Sequence, residues 1–303
     1  MDKLRPLRDA IALEIEDGMS LAMGCGLESL IPFAASHEII RQKRKDLTLI
    51  CPISDMQFDQ LIGAACVKKI IAAWVGNVAA GLGHNYRRAA ESGIPHPIEI
   101  AEHSNFTIGQ GLQAAAMGLP FLPTRTVKGS EFRTGDQFQS IRCPFTNEEL
   151  VAVRAIQPDV TILHVQRADA QGNAHVWGNF GVIREAALAA KKVILTCEEV
   201  VDHEVILSDP NRTVIPGFVV SSVVHEPFGS FPSPTQGHAR RDDDFYVEYH
   251  KATRTRDGFE QWLNKWVLGV EEHREFLTLL GDERVEQLRP QGNLFSPAVS
   301  FNY

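Results

Sequence analysis

No stretch of this chain holds the roughly 18 consecutive apolar residues that a membrane-crossing helix needs. The first eighteen residues, MDKLRPLRDAIALEIEDG, carry charges throughout instead of a signal-peptide core. The five cysteines (Cys25, Cys51, Cys66, Cys143 and Cys197) lie far apart with no C-x-x-C pair. Neither a zinc clamp nor a disulfide framework is therefore indicated, and free buried thiols in a cytoplasmic protein are the expectation. The eleven histidines supply no H-x-x-x-H or H-E-x-x-H spacing, so no metal site is expected. No G-x-S-x-G elbow is present for a serine hydrolase. Positive charge is the minority sign, 30 Lys and Arg against 38 Asp and Glu for a net −8, which argues against a nucleic-acid surface.

What remains is a chain of 303 residues with 44% hydrophobic and 22% charged residues, an ordinary composition for a globular protein with a large core. Short apolar runs at 19–23, 47–51, 69–75, 98–101, 160–165 and 192–196 read as strands. Several are continuous rather than alternating, which suits a parallel sheet covered on both faces. Helical stretches at 4–16, 32–45, 106–117 and 183–190 fall among them. The expectation is an α/β fold, an open and mostly parallel sheet with helices on both faces. Pro and Gly are dense in VIPGFVV (214–220) and HEPFGSFPSPTQG (225–237), which excludes regular helix there. After the acidic patch at 242–244 comes a helix-rich tail from Phe245 to about Leu288, with Trp262, Leu263 and Trp266 at helical spacing as a packing face. The domain reading is one α/β domain over 1–240 with a helix-rich C-terminal extension, 241–303, packed on it.

Ligand-competent loops follow several strand ends. LAMGCGLESLIP (21–32) places Gly24 and Gly26 one residue apart after the first strand. A Walker loop would need a following Gly-Lys-Ser/Thr, and a dinucleotide fingerprint a third glycine where Ser29 stands. What is left is a tight strand-to-helix turn that lets the backbone approach something closely, with plain turn chemistry as the simpler alternative. In AEHSNFTIGQGLQ (101–113) the polar run Glu102, His103, Ser104 and Asn105 leads from a strand end, the usual ligand-binding edge of such sheets, into an Ala-rich helix. Ser104 or Asn105 would serve equally as an N-cap. GNVAAGLGHNYRRAAESG (76–93) brings Asn77, Arg87 and Arg88. The arginines suit a carboxylate or phosphate, with a solvated helix face as the alternative for at least one.

Taken in order, DGMSLAMGCG (17–26), GNVAAGLGHNYRRAAESG, GLQAAAMGLPFLPTR (111–125), RADAQGNA (167–174), TCEEVVD (196–202) and VIPGFVV resemble the alpha subunit of family I CoA-transferases of the glutaconate CoA-transferase type, over about residues 1–235. The A-D-x-x-G-N element is among the more specific of these. The resemblance implies an enzyme that moves CoA from an acyl-CoA to a free carboxylic acid through an enzyme glutamyl-CoA thioester. It also implies a homologous beta subunit that carries the nucleophilic glutamate in a Ser-Glu-Asn-Gly-like motif. No such motif occurs here, and Glu102, Glu198 and Glu199 stand in other contexts. This chain would then be half an active site. Its expected share is acyl and carboxylate recognition through Gly24, Gly26, Asn77, Glu102, Ser104 and Asn105, with CoA thioester as substrate and no tightly bound cofactor. A related branch, which hydrolyses a C–C bond in a cyclic CoA thioester during steroid ring degradation, is the alternative. The resemblance implies an acidic alpha-chain residue there where this chain has Asn105, and an amide cannot act as a general base. Glu102, close by, keeps that alternative in view.

Overall fold

The computed structural model describes residues 2–131 and 135–290. Residues 291–303, the end of the expected extension, lie outside the described residues.

The chain builds its sheet in two runs from a common starting strand. The first run comprises α1 (Leu7–Glu14), β1 (Ser20–Met23), α2 (Phe33–Arg41), β2 (Leu47–Ile53), α3 (Asp55–Gly63) and β3 (Val67–Trp74). A two-residue hairpin, β4 (Gly76–Asn77) and β5 (Gly81–Leu82), leads to α4 (His84–Ser92), β6 (Glu99–Glu102) and α5 (Asn105–Ala116). An antiparallel detour follows, in which β7 (Phe121–Thr124), β8 (Phe138–Arg142) and β9 (Glu149–Arg154) form a three-stranded sheet ordered β7-β9-β8. The second run is β10 (Val160–Ala168), β11 (Ala174–His175), α6 (Ile183–Ala189), β12 (Lys192–Val200), α7 (His203–Leu207), β13 (Thr213–Ile215) and β14 (Val220–His225). The tail holds α8 (Asp243–Ala252), α9 (Arg256–Leu263), α10 (His273–Leu280) and α11 (Asp282–Gln287), and a π-helical turn at Asn264–Leu268 extends α9.

Seven parallel strands pair in the order β6-β3-β2-β1-β10-β12-β14, with β11 and β13 added antiparallel beyond β10. The first run therefore moves outward from one side of β1, and the second starts on its other side at β10. That reversal is a topological switch point, where the carboxyl ends of parallel strands leave a crevice.

Strand side chains alternate between two cores. Leu21 and Met23 join Leu47, Leu49, Val160 and Ile162 under α1, α2, α3 and the tail. Ala22 joins Ile50, Leu163, Val165 and Leu195 under α5 and α6. The open parallel sheet expected from the apolar runs is present, and each expected strand and helix has a counterpart at similar bounds. Tail residues Phe245, Tyr246, Tyr249, Phe259, Trp262 and Phe276 are buried in the same core as β1 and β2. The expected helix at 4–16 is shorter, because Pro6 stands at its N-cap and Leu4 instead bridges Val223 beside β14.

Candidate functional site

At the carboxyl end of β1 the chain turns through Gly24, with φ +66°. A side chain there would be strained, and its Cβ would sit 3.1 Å from Gln57 Oε1. At Gly26 a Cβ would stand 2.4 Å from the backbone oxygen of Ser29. Both glycines are thus demanded by the chain's own close packing. The next residue, Leu27, holds a left-handed conformation (φ 64°) and is among the residues that line a cavity. The turn is tied to the loop before α6, where the Val182 N–H donates to the Cys25 carbonyl at 2.8 Å.

The end of β6 delivers the second wall. His103 is buried, and burial lowers its pKa to about 4, so the imidazole is neutral. Its Nδ1 lies 3.1 Å from Thr107 Oγ1. Ser104 is the N-cap of α5. Its hydroxyl accepts from the Thr107 N–H at 3.1 Å, and Thr107 Oγ1 accepts from the Ser104 N–H at 2.9 Å. Asn105 and Phe106 open the helix and are exposed. The first turn of this twelve-residue helix, with its partial positive charge, therefore faces the same space.

Between these walls lies a cavity of about 470 Å³. Leu27, Phe106, Leu122 and Val182 give it apolar surface, and Asn105, Gln110, Gln113 and Glu185 give it a few polar groups. The Gln110 Oε1 is buried with no hydrogen-bond partner in the structure. Apolar walls with few polar groups are what a small organic ligand requires.

Of the residues singled out in the sequence, Asn105 lines this cavity, and Ser104 supports it as a cap. Gly24 and Gly26 shape the turn beside it without lining it. Glu102 is exposed at the end of β6, outside the lining. Asn77 is placed elsewhere: its Nδ2 donates to the Tyr246 carbonyl at 2.8 Å and its Oδ1 accepts from the Ala79 N–H, so the side chain anchors the tail. Arg88 also clamps the tail, donating to the carbonyls of Thr253 and Arg254, whereas Arg87 pairs with Glu91 on an exposed helix face. Glu198 is buried. Burial alone would raise its pKa, but the hydrogen bond from His164 Nε2 (2.9 Å) and the Phe228 N–H bring it below the ordinary carboxylate value. In the A-D-x-x-G-N element, Asp169 Oδ1 accepts from the N–H groups of Gln171 and Asn173, and Asn173 Oδ1 accepts from the Gly217 N–H; the motif is a braced turn. Leu122, Gly181, Val182 and Glu185 were not singled out, because they reach the cavity from distant segments. The run WGNFG (177–181) was the available signal. Among the described residues, no group of three or more His, Cys, Asp or Glu could hold a metal ion.

A mostly parallel sheet with a cavity at its switch point defines an α/β architecture of the class that binds small ligands at the carboxyl edge of the strands. The model of the Coenzyme A transferase family matches residues 6–226, and the chain belongs to that family. The A-subunit of the 3-oxoadipate CoA-transferase from Pseudomonas knackmussii is 42% identical, over 91% of this chain and 97% of its own. Glutaconate CoA-transferase of Acidaminococcus fermentans is similar in both sequence and structure. Its A-subunit is 34% identical over 95% of each chain, and its crystal structure superposes with a TM-score of 0.91 over 96% of each. The IpdA subunit of the cholesterol ring-cleaving hydrolase from Mycobacterium tuberculosis is 27% identical over 89% of this chain and 94% of its own. The chain is therefore the alpha-type subunit of a CoA-transferase, an enzyme that acts on CoA thioesters. No helix among the described residues is long and apolar enough to cross a membrane.

Proposed function

We propose that this chain recognises the acyl group for a CoA transfer whose nucleophilic glutamate belongs to a homologous beta subunit. That glutamate attacks the thioester carbonyl, giving an acyl-glutamyl anhydride and CoA thiolate. The thiolate then attacks the glutamyl carbonyl, releasing the first acid and leaving a glutamyl-CoA thioester. An acceptor carboxylate attacks this thioester, and the expelled thiolate takes the new acyl group and frees the glutamate.

The observation that carries this reading is the composition of the cavity at the β1/β10 switch point, together with the family to which the chain belongs. Its apolar walls suit the carbon chain of an acyl group. The amides of Asn105, Gln110 and Gln113 and the N-terminus of α5 suit oxygens carried on that chain. The acids named for two relatives, 3-oxoadipate and glutaconate, are both dicarboxylates. A short dicarboxylic acyl group, with its free carboxylate directed to the first turn of α5, is therefore the substrate class we assign.

The test is acceptor dependence. The chain co-purified with its beta partner should consume a dicarboxylic acyl-CoA only when a free acid is supplied, and should form that acid's thioester in equal amount. Consumption without an acceptor acid, with opening of a cyclic CoA thioester, would instead place the chain with the ring-cleaving hydrolases.

A further inference from the structure

A second, larger cavity of about 690 Å³ lies on the opposite face of the sheet from the acyl site, among α1, α2, the turn after β14 and the segment that starts α10. Its wall is strongly charged, and carboxylates outnumber guanidiniums along it. Several of its groups lack partners. Arg41 is 11% exposed at its side chain and its Nε donates to Glu38 at 2.8 Å, yet Nη1 and Nη2 are buried with no hydrogen-bond partner. Both Glu38 oxygens are already engaged, one by Arg41 Nε and the other by Gln42 Nε2 at 2.8 Å, and neither is bonded to the Arg41 Nη groups. His273 is buried. Its Nε2 bonds the Phe228 carbonyl at 3.0 Å, and its Nδ1 has no partner. The Glu226 carboxylate accepts no hydrogen bond among the described residues. Burial and the neighbouring Glu272 and Glu38 hold its pKa up at about 7 against the pull of Arg41.

A buried guanidinium fork that no protein acceptor meets suits a bound carboxylate. The acidic wall around it disfavours polyanions such as phosphates, so the carboxylate must arrive with positive charge on the same molecule. We propose that this cavity binds an amino acid in its zwitterionic form, its carboxylate on Arg41 Nη1 and Nη2 and its ammonium group beside Glu226 and Glu272. A basic side chain is favoured by the remaining excess of carboxylates. The site is separate from the acyl cavity and does not depend on the transferase reading.

The test is calorimetric titration of the full chain, alone and co-purified with its beta partner. The probes are L-lysine, L-arginine and L-alanine, with hexanoate and hexylamine as carboxylate-only and amine-only controls. The amino acids should bind saturably in both preparations, the basic ones more tightly, and each control should bind at least about tenfold more weakly. Arg41→Met should abolish carboxylate recognition, leaving lysine no tighter than hexylamine. Glu226→Gln, which keeps shape and removes charge, should weaken lysine about tenfold while the fold is retained. The proposal is overturned if no amino acid binds the wild-type chain, or if hexylamine binds as well as lysine. Binding to the lone chain that disappears in the complex would overturn it too, since the partner would then fill the space.

Discussion

The helices on the two faces of the sheet are held in different ways. On one, α5 and α6 pack through small and aliphatic residues (Ile108, Leu112, Ala186 and Ala187), and their first turns part to leave the cavity proposed for the acyl group. On the other, α3 and α8 are joined by buried polar pairs. The Tyr246 hydroxyl donates to Asp55, and the Tyr249 hydroxyl donates to Asp59 at 2.6 Å. Asp59 also accepts from Asn85 Nδ2 and the Tyr86 N–H. Dispersion and area burial hold the first face. The second face adds to its own apolar core a set of directional bonds that lock α8 to α3.

The largest expected effect breaks the lock. Asp59→Ala leaves the Tyr249 O–H and the Tyr86 N–H without their acceptor and Asn85 Nδ2 with only the Tyr249 hydroxyl, and should cost on the order of 4 kcal/mol in urea unfolding of the chain. A loss under about 1 kcal/mol would show that the tail is held by apolar packing alone.

The next effect concerns Asp55, which is buried, has a left-handed backbone (φ 52°) and a pKa raised to about 6 by burial. Because the folded value lies above the unfolded one, this group's contribution is full below the unfolded pKa near 4 and is lost as pH rises toward about 6. Wild type should therefore lose on the order of 3 kcal/mol relative to Asp55→Asn between those limits, and nothing further above them. Equal pH profiles for the two proteins would remove Asp55 from the account.

The smallest stability effect should come from the open face. Phe106 is 56% exposed at the cavity. Phe106→Ala should leave unfolding within about 0.5 kcal/mol of wild type while lowering kcat/KM of the complex roughly tenfold. The reverse pattern would make Phe106 a packing residue and move the acyl site elsewhere.

This asymmetry also explains what could be read from sequence. β1, β2, β10 and β12 are buried on both faces, so their continuous apolar runs announced a parallel sheet. α3 was not legible. It is buried on every side yet carries Asp55, Gln57, Asp59 and Gln60, so no apolar stripe marks it as a helix. The β7-β9-β8 sheet was missed because its strands are short and partly exposed, with Pro123 inside β7. At the site, Asn105 was within reach because it follows a strand end directly, as the position of ligands in parallel sheets requires. Leu122, Val182 and Glu185 reach the cavity from other segments, and nothing local distinguishes them. Asn77 has the same strand-end position as Asn105, but the tail claims its side chain, and that contact spans 169 residues.

The measurement that bears most directly on the half-site reading is borohydride trapping. The chain, assembled with its beta partner and given an acyl-CoA, would be treated with borohydride, which reduces a glutamyl-CoA thioester and inactivates the enzyme. Peptide mapping would then locate the modified glutamate. The expected result is inactivation that requires acyl-CoA, with the modified residue on the beta chain. Modification of a glutamate on this chain, Glu185 or Glu102 above all, would contradict the division of labour between the two chains.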